Sequence, residues 1–159
     1  MPSRRVLLVD ENDDFLDGLA SLMAKLPGME VVGRAHLGNE AVERARSLSS
    51  DDLVLMDVSL RDMSGFQAVD LIKARPRAPK VLLMTFHESR AAATAAFASG
   101  ADGCLSKSSM AERLLQVIER LAGPTGEEDG AADATARGNV GMAGTNGKQP
   151  LQRTEEEER

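Results

Sequence analysis

The chain has 159 residues, 42% hydrophobic and 28% charged, with a formal net charge of −6 at pH 7; this globular balance leaves room for one domain of ordinary size and a remainder, and excludes two full domains. No apolar run approaches the ~18 residues of a membrane span and the basic start soon meets acids, so neither membrane insertion nor export is expected. The negative charge argues against binding nucleic acid by charge neutralisation over the whole surface, the single cysteine, Cys104, excludes an internal disulfide and fits a reducing cytoplasm, and four Phe with no Trp or Tyr leave an aliphatic core.

Residues 5–9 form a short apolar run that stops at consecutive acids, the pattern of a strand buried on both faces. Phe15, Leu16, Leu19, Leu22, Met23 and Leu26 then follow helical spacing, with Asn12 or Asp13 as N-cap and Pro27-Gly28 as the stop. The alternation recurs. Glu30–Ala35 reads as strand, Asn39–Leu48 as helix, Leu53–Met56 as strand, Ser64–Arg75 as helix and Val81–Met84 as strand. Ser89–Ser99 is an Ala-rich helix, Gly103–Ser106 a short fifth strand and Ala111–Leu121 a last amphipathic helix. Strands that alternate with helices imply parallel pairing through right-handed crossovers, hence an open α/β sheet covered on both faces. The expected fold is a five-stranded parallel sheet in 2-1-3-4-5 order, a flavodoxin-like (βα)5 arrangement.

Residues 122–159 differ from this body. They hold only Val140 and Leu151 among Leu, Ile, Val and Phe, seven of the fourteen glycines, and 8 acids against 4 basic residues. Such a segment buries too little apolar surface to offset its ordering entropy, so a disordered acidic tail is expected after a body of 1–121. Without amphipathic helices after residue 121, no helix-turn-helix and no direct DNA binding is expected.

In open α/β sheets the chemistry gathers beyond the C-terminal ends of the strands. Here Asp10 and Glu11 end the first strand and Asp57 the third, its neighbour in the expected order, so three carboxylates would converge. Thr85 ends the fourth strand and Lys107 follows the fifth. The segments VLLVDE (6–11), VLMD (54–57), SGF (64–66), MT (84–85) and LSK (105–107), in this order and at these separations, closely resemble the receiver domain of two-component response regulators over about residues 4–121.

That resemblance implies roles. Asp57 would accept a phosphoryl group from a histidine kinase or histidine phosphotransfer protein, a reaction in which the protein mainly positions groups and neutralises charge. Mg2+, a hard cation that takes oxygen ligands, would be bound by Asp10, Glu11, Asp57 and the backbone carbonyl of Ser59. Lys107 would pair with Asp57 and then with phosphoryl oxygens, and Thr85 would donate its hydroxyl to one of them. The output partner is unknown, and dimerisation through the fourth and fifth helices is left open.

Several positions depart from the family pattern. Asp10-Glu11 replaces a pair of aspartates. Phe86 and His87 follow Thr85, in a stretch that looks like regulators carrying a LuxR-type helix-turn-helix; Phe86 either narrows access to the phosphorylated carboxylate or packs at the top of the sheet, and His87 either orients water or is a solvated loop residue. Cys104 stands where the family places an aromatic switch residue, and Ser108 where a proline often follows the lysine. The leading reading is a stand-alone cytoplasmic response regulator without independent substrate turnover. The second is an interaction module on the same fold that needs no phosphorylation. A phosphatase with an aspartyl intermediate would need a further general acid and a cap, for which the chain has no insertion.

Overall fold

A computed structural model describes residues 3–121, and the tail expected at 122–159 lies outside the described residues. The elements run β1 (Arg4–Val9), α1 (Asp13–Ala24), β2 (Met29–Ala35), α2 (Gly38–Ala45), β3 (Leu53–Asp57), α3 (Gly65–Lys73), β4 (Lys80–Thr85), α4 (Arg90–Ser99), β5 (Gly103–Ser106) and α5 (Met110–Leu121). All strand pairs are parallel, in the order β2-β1-β3-β4-β5.

Between their polar ends the three central strands are continuously apolar, because both faces are covered. Alternation sends Leu7, Val9, Val54, Met56, Val81 and Leu83 to one side, where α2, α3 and α4 pack with Ala41, Ala68, Val69 and Ala96. Val6, Leu8, Leu53, Leu55, Leu82 and Met84 face the other side, against Leu16 and Met23 of α1 and Leu114 and Ile118 of α5. Small Ala residues on the first side let helices approach the sheet closely, and large Leu and Met fill the second. Each fully buried Leu or Val contributes about 1.5–3 kcal/mol through removal from water.

Helix ends follow local chemistry. Asn12 is the N-cap of α1 and accepts from Phe15 N at 3.1 Å. The third helix starts one residue later than the periodicity suggests, because Ser64 closes a capping box with Gln67. The second and third helices end early, at Ala45 and Lys73. Arg75, expected inside α3, instead donates to the carbonyls of Ala45 and Leu48 at 2.6 Å each, closing the turn that follows α2. A 3-10 turn at Lys107–Ser109 precedes α5.

Candidate functional site

Strand parity decides which side chains meet. Val9 pairs with Met56, so the next residues, Asp10 and Asp57, leave adjacent strands at the same level and continue the parity of the face under α1 and α5. Both residues are buried, at 2% and 5% exposure. Lys107 arrives from the far edge of the sheet, where Ser106 caps the 3-10 turn by accepting from Ser108 N at 3.3 Å. Its Nζ donates to Asp10 Oδ2 at 2.5 Å and to Asp57 Oδ2 at 3.2 Å. The remaining carboxylate oxygens are also met: Asp10 Oδ1 accepts from Asn12 N at 2.9 Å and Asp57 Oδ1 from Ser59 N at 3.1 Å.

Burial pushes the Asp57 carboxyl above the ordinary range, and the Asp10 charge adds to this. The Ser59 N–H and the Lys107 ammonium oppose the shift without cancelling it. The triad of two carboxylates and one ammonium therefore carries an unbalanced negative charge in a largely dry place.

The other sequence-predicted residues lie around this triad. Glu11 is one third exposed and faces the Arg61 guanidinium at 3.8 Å, so the structure brings two of the three acids onto one cation and leaves the third at the rim. Among the described residues no group of three or more His, Cys, Asp or Glu side chains is close enough to hold a metal ion. The donor chemistry nonetheless fits a hard divalent cation: two buried carboxylates with an excess of negative charge, and a third on a flexible arm next to Asp10 in the chain. Thr85 is buried at the end of β4, but its hydroxyl donates to the His87 carbonyl at 3.2 Å and accepts from His87 N at 3.3 Å, which ties it into its own loop. His87 is exposed. Phe86 is not buried at the top of the sheet; it is 69% exposed. Cys104 is half-buried against the α4 side of the core, where burial and the nearby Glu88 charge push its thiol up. Among the described residues there is no cis peptide, so Lys107 reaches both acids from a trans bond to Ser108.

Two contributors were not legible as site residues. Phe15 reads in the sequence as an ordinary helical apolar position; its place in the first turn after a site-lining loop is the signal that could have found it. Asp62 belongs to the loop after Asp57. Its carboxylate accepts from Gly38 N at 2.7 Å and Asn39 N at 2.9 Å, supplying the cap that Leu37, the N-cap of α2, lacks. Burial acts to raise the Asp62 carboxyl, but the N–H groups of Asn39, Gly38, Asp62 and Met63 outweigh it and hold it below the ordinary range. Asp62→Ala is expected to lower stability by about 1 kcal/mol, as loss of an N-cap does. The effect fades in acid, as pH falls through the lowered pKa of Asp62, and parallel urea titrations of both proteins at neutral and acid pH would check it.

The sequence model of the response regulator receiver domain matches residues 6–119. The transcriptional regulatory protein MctR of Rhizobium johnstonii is 30% identical over 122 residues, which cover 77% of this chain and 56% of that protein. Among solved structures, a LuxR-family two-component response regulator from Aurantimonas sp. SI85-9A1 is 33% identical with a TM-score of 0.72, covering 87% of this chain and 99% of that one. The response regulator domain of Thermotoga maritima CheB is 27% identical with a TM-score of 0.68, over 76% of this chain and 96% of that one. The chain spans about half the length of the curated relatives it matches, 56% of the Rhizobium protein and 54% of the response regulator GacA of Pseudomonas aeruginosa.

Proposed function

The chain belongs to the response regulator receiver domain family, and from that membership we propose that Asp57 is its phosphoacceptor and that phosphorylation switches the binding of an output partner. Receiver domains serve two-component phosphorylation signalling, in general as non-enzymatic modules that bind Mg2+ at the phosphorylation site. The observation that carries the reading is the Lys107 ammonium shared between buried Asp10 and Asp57 at the ends of adjacent strands.

The chemistry follows from this arrangement. A carboxylate oxygen of Asp57 attacks the phosphorus of a phosphohistidine on a kinase or phosphotransfer protein; the new O–P bond forms as the P–N bond breaks, and the histidine nitrogen leaves with the electron pair. Asp57 must be ionised to attack. Lys107 favours that form by its charge and the Ser59 N–H by its hydrogen bond. Asp10, Glu11, Asp57 and the Ser59 carbonyl would hold Mg2+, which when bound neutralises charge developing on the equatorial oxygens.

After transfer Lys107 stays paired with the phosphoryl oxygens. The Thr85 hydroxyl then leaves its His87 partners and turns to one of those oxygens, moving the 86–88 loop. His87 is held to Thr85 through its backbone N–H and carbonyl, so this motion releases it. Cys104 is too small to follow Thr85 inward as a ring would, so the change is transmitted mainly by the loop and α4.

Electrospray mass spectrometry tests the assignment. With Mg2+ and acetyl phosphate the wild-type chain is expected to gain the mass of one phosphoryl group, and Asp57→Asn to gain none. A wild-type mass that stays unchanged with several small donors would overturn the reading in favour of an interaction module that works without phosphorylation.

A further inference from the structure

The Lys107 ammonium lies over two aromatic rings as well as against two acids. Its Nζ is 4.4 Å from the ring centroid of Phe15 and 4.4 Å from that of Phe86. Phe15 comes from the first turn of α1 and Phe86 from the loop after β4, so two rings remote in the chain converge on one cation. The chain has only four aromatic residues, and half of them are spent here. The lysine side chain is 5% exposed although Phe86 itself is 69% exposed. A ring that open gains little from the core. Its contact with a desolvated cation gives the placement a physical reason, because the ring's negative face attracts an ammonium most strongly where water is excluded.

A lysine ends in a compact charge on a flexible four-carbon stem. Unconfined, such an ammonium can pair with either carboxylate alone or turn towards solvent. We propose that Phe15 and Phe86 are positioning residues, an aromatic clamp that confines the Lys107 ammonium where it reaches Asp10 and Asp57 together. The rings touch no reacting atom and act through the lysine. Their consequence for rate rests on the phosphoryl-transfer reading above, whereas the clamp itself is a matter of geometry and can be judged separately.

The test uses the full chain, isotopically labelled, without added metal for the spectra and with Mg2+ and acetyl phosphate for the rates. Protons above ring faces are shielded, so the Lys107 Hε resonances are expected upfield of those of the other lysines. Phe86→Leu keeps apolar bulk without a ring face and is expected to lose roughly half of that displacement, as is Phe15→Leu, while Phe86→Tyr retains it. Phosphorylation is expected to slow about threefold in each Leu variant, the factor that loss of one cation–π contact of ordinary strength corresponds to, and to recover in Phe86→Tyr.

A wild-type Lys107 signal without upfield displacement would overturn the clamp. Leu variants that lose the displacement yet accept phosphate as fast as wild type would overturn the positioning role. A wild type that takes up no phosphoryl group would count against the phosphoacceptor reading, and the displacement and its loss in the Leu variants would then decide the clamp alone.

Discussion

Lys107→Ala is expected to lower stability at neutral pH by about 3 kcal/mol, since removing one partner of a buried ion pair leaves the other charges uncompensated, and to lower the melting temperature by about 10 °C for a domain of this size. Asp10 and Asp57 would then face each other in a site where the lysine side chain is now 5% exposed. The deficit has a defined pH dependence. Asp57 already has a folded-state pKa raised by burial, and loss of Lys107 removes one of the groups that oppose the rise. A group whose folded pKa lies above its unfolded value contributes stability that is fully present below the unfolded pKa and is lost as pH rises through the folded one.

The variant is therefore expected to approach wild type in acid, where Asp57 is protonated in both, and to fall behind as pH rises through the Asp57 transition. Urea unfolding of both proteins from acid to neutral pH would check it. A constant difference across the range would mean that Lys107 stabilises by packing alone. Mass spectrometry on the same variant should show phosphorylation strongly slowed, because the ammonium that favours ionised Asp57 is gone.

The second large effect is expected at Gly65. The chain leaves β3 at Asp57, makes a short loop closed by Gly65 N donating to the Val58 carbonyl at 2.8 Å, and enters α3. A Cβ on Gly65 would lie 2.5 Å from the Asp57 carbonyl oxygen and 2.8 Å from Val58 Cα, both backbone atoms of the segment that carries the Asp57 carboxylate. Neither can yield without moving Asp57.

Gly65→Ala should therefore cost about 1–3 kcal/mol, the range for overpacking a filled site, and slow phosphorylation about tenfold through displacement of the carboxylate, since small misplacements of a reacting group are costly. Gly18→Ala is the control. It has open space around its Cβ and sits on the exposed face of α1, so removing a helical glycine should raise stability by about 0.5–1 kcal/mol. Thermal unfolding and acetyl phosphate kinetics on both variants would separate a contact at Asp57 from a general effect of glycine removal.

The difference between these two glycines was partly visible in the sequence. Gly65 stands within SGF, next to a serine able to cap a helix, and so reads as the residue that turns the chain into α3. Its contact with the backbone of Asp57 and Val58 could not be read, because that contact depends on how tightly the loop recloses. Likewise the acids at residues 10 and 57 were legible as strand ends and the family resemblance paired Lys107 with Asp57, but the sharing of that ammonium with Asp10, 97 residues away in the chain, was not legible. Glu11 reads as the equal of its neighbours, yet the bend after β1 sends it to the rim beside Arg61. Thr85 reads as a hydroxyl at the strand ends near Asp57, and the loop engages that hydroxyl first.

The order and kind of the elements, the two-sided burial of the central strands and the identity of the charged groups at their ends were all present in the amino-acid pattern. Those properties depend on periodicity and on near neighbours in the chain, which a sequence states directly. That Asp62 caps a different helix, that Phe15 and Phe86 both approach one lysine, and that Asp10 and Asp57 share it emerged with the folded arrangement. These are meetings of side chains from separate elements, set by strand register, helix seating and loop closure, and their energies arise only once water has been excluded from the place where the elements meet.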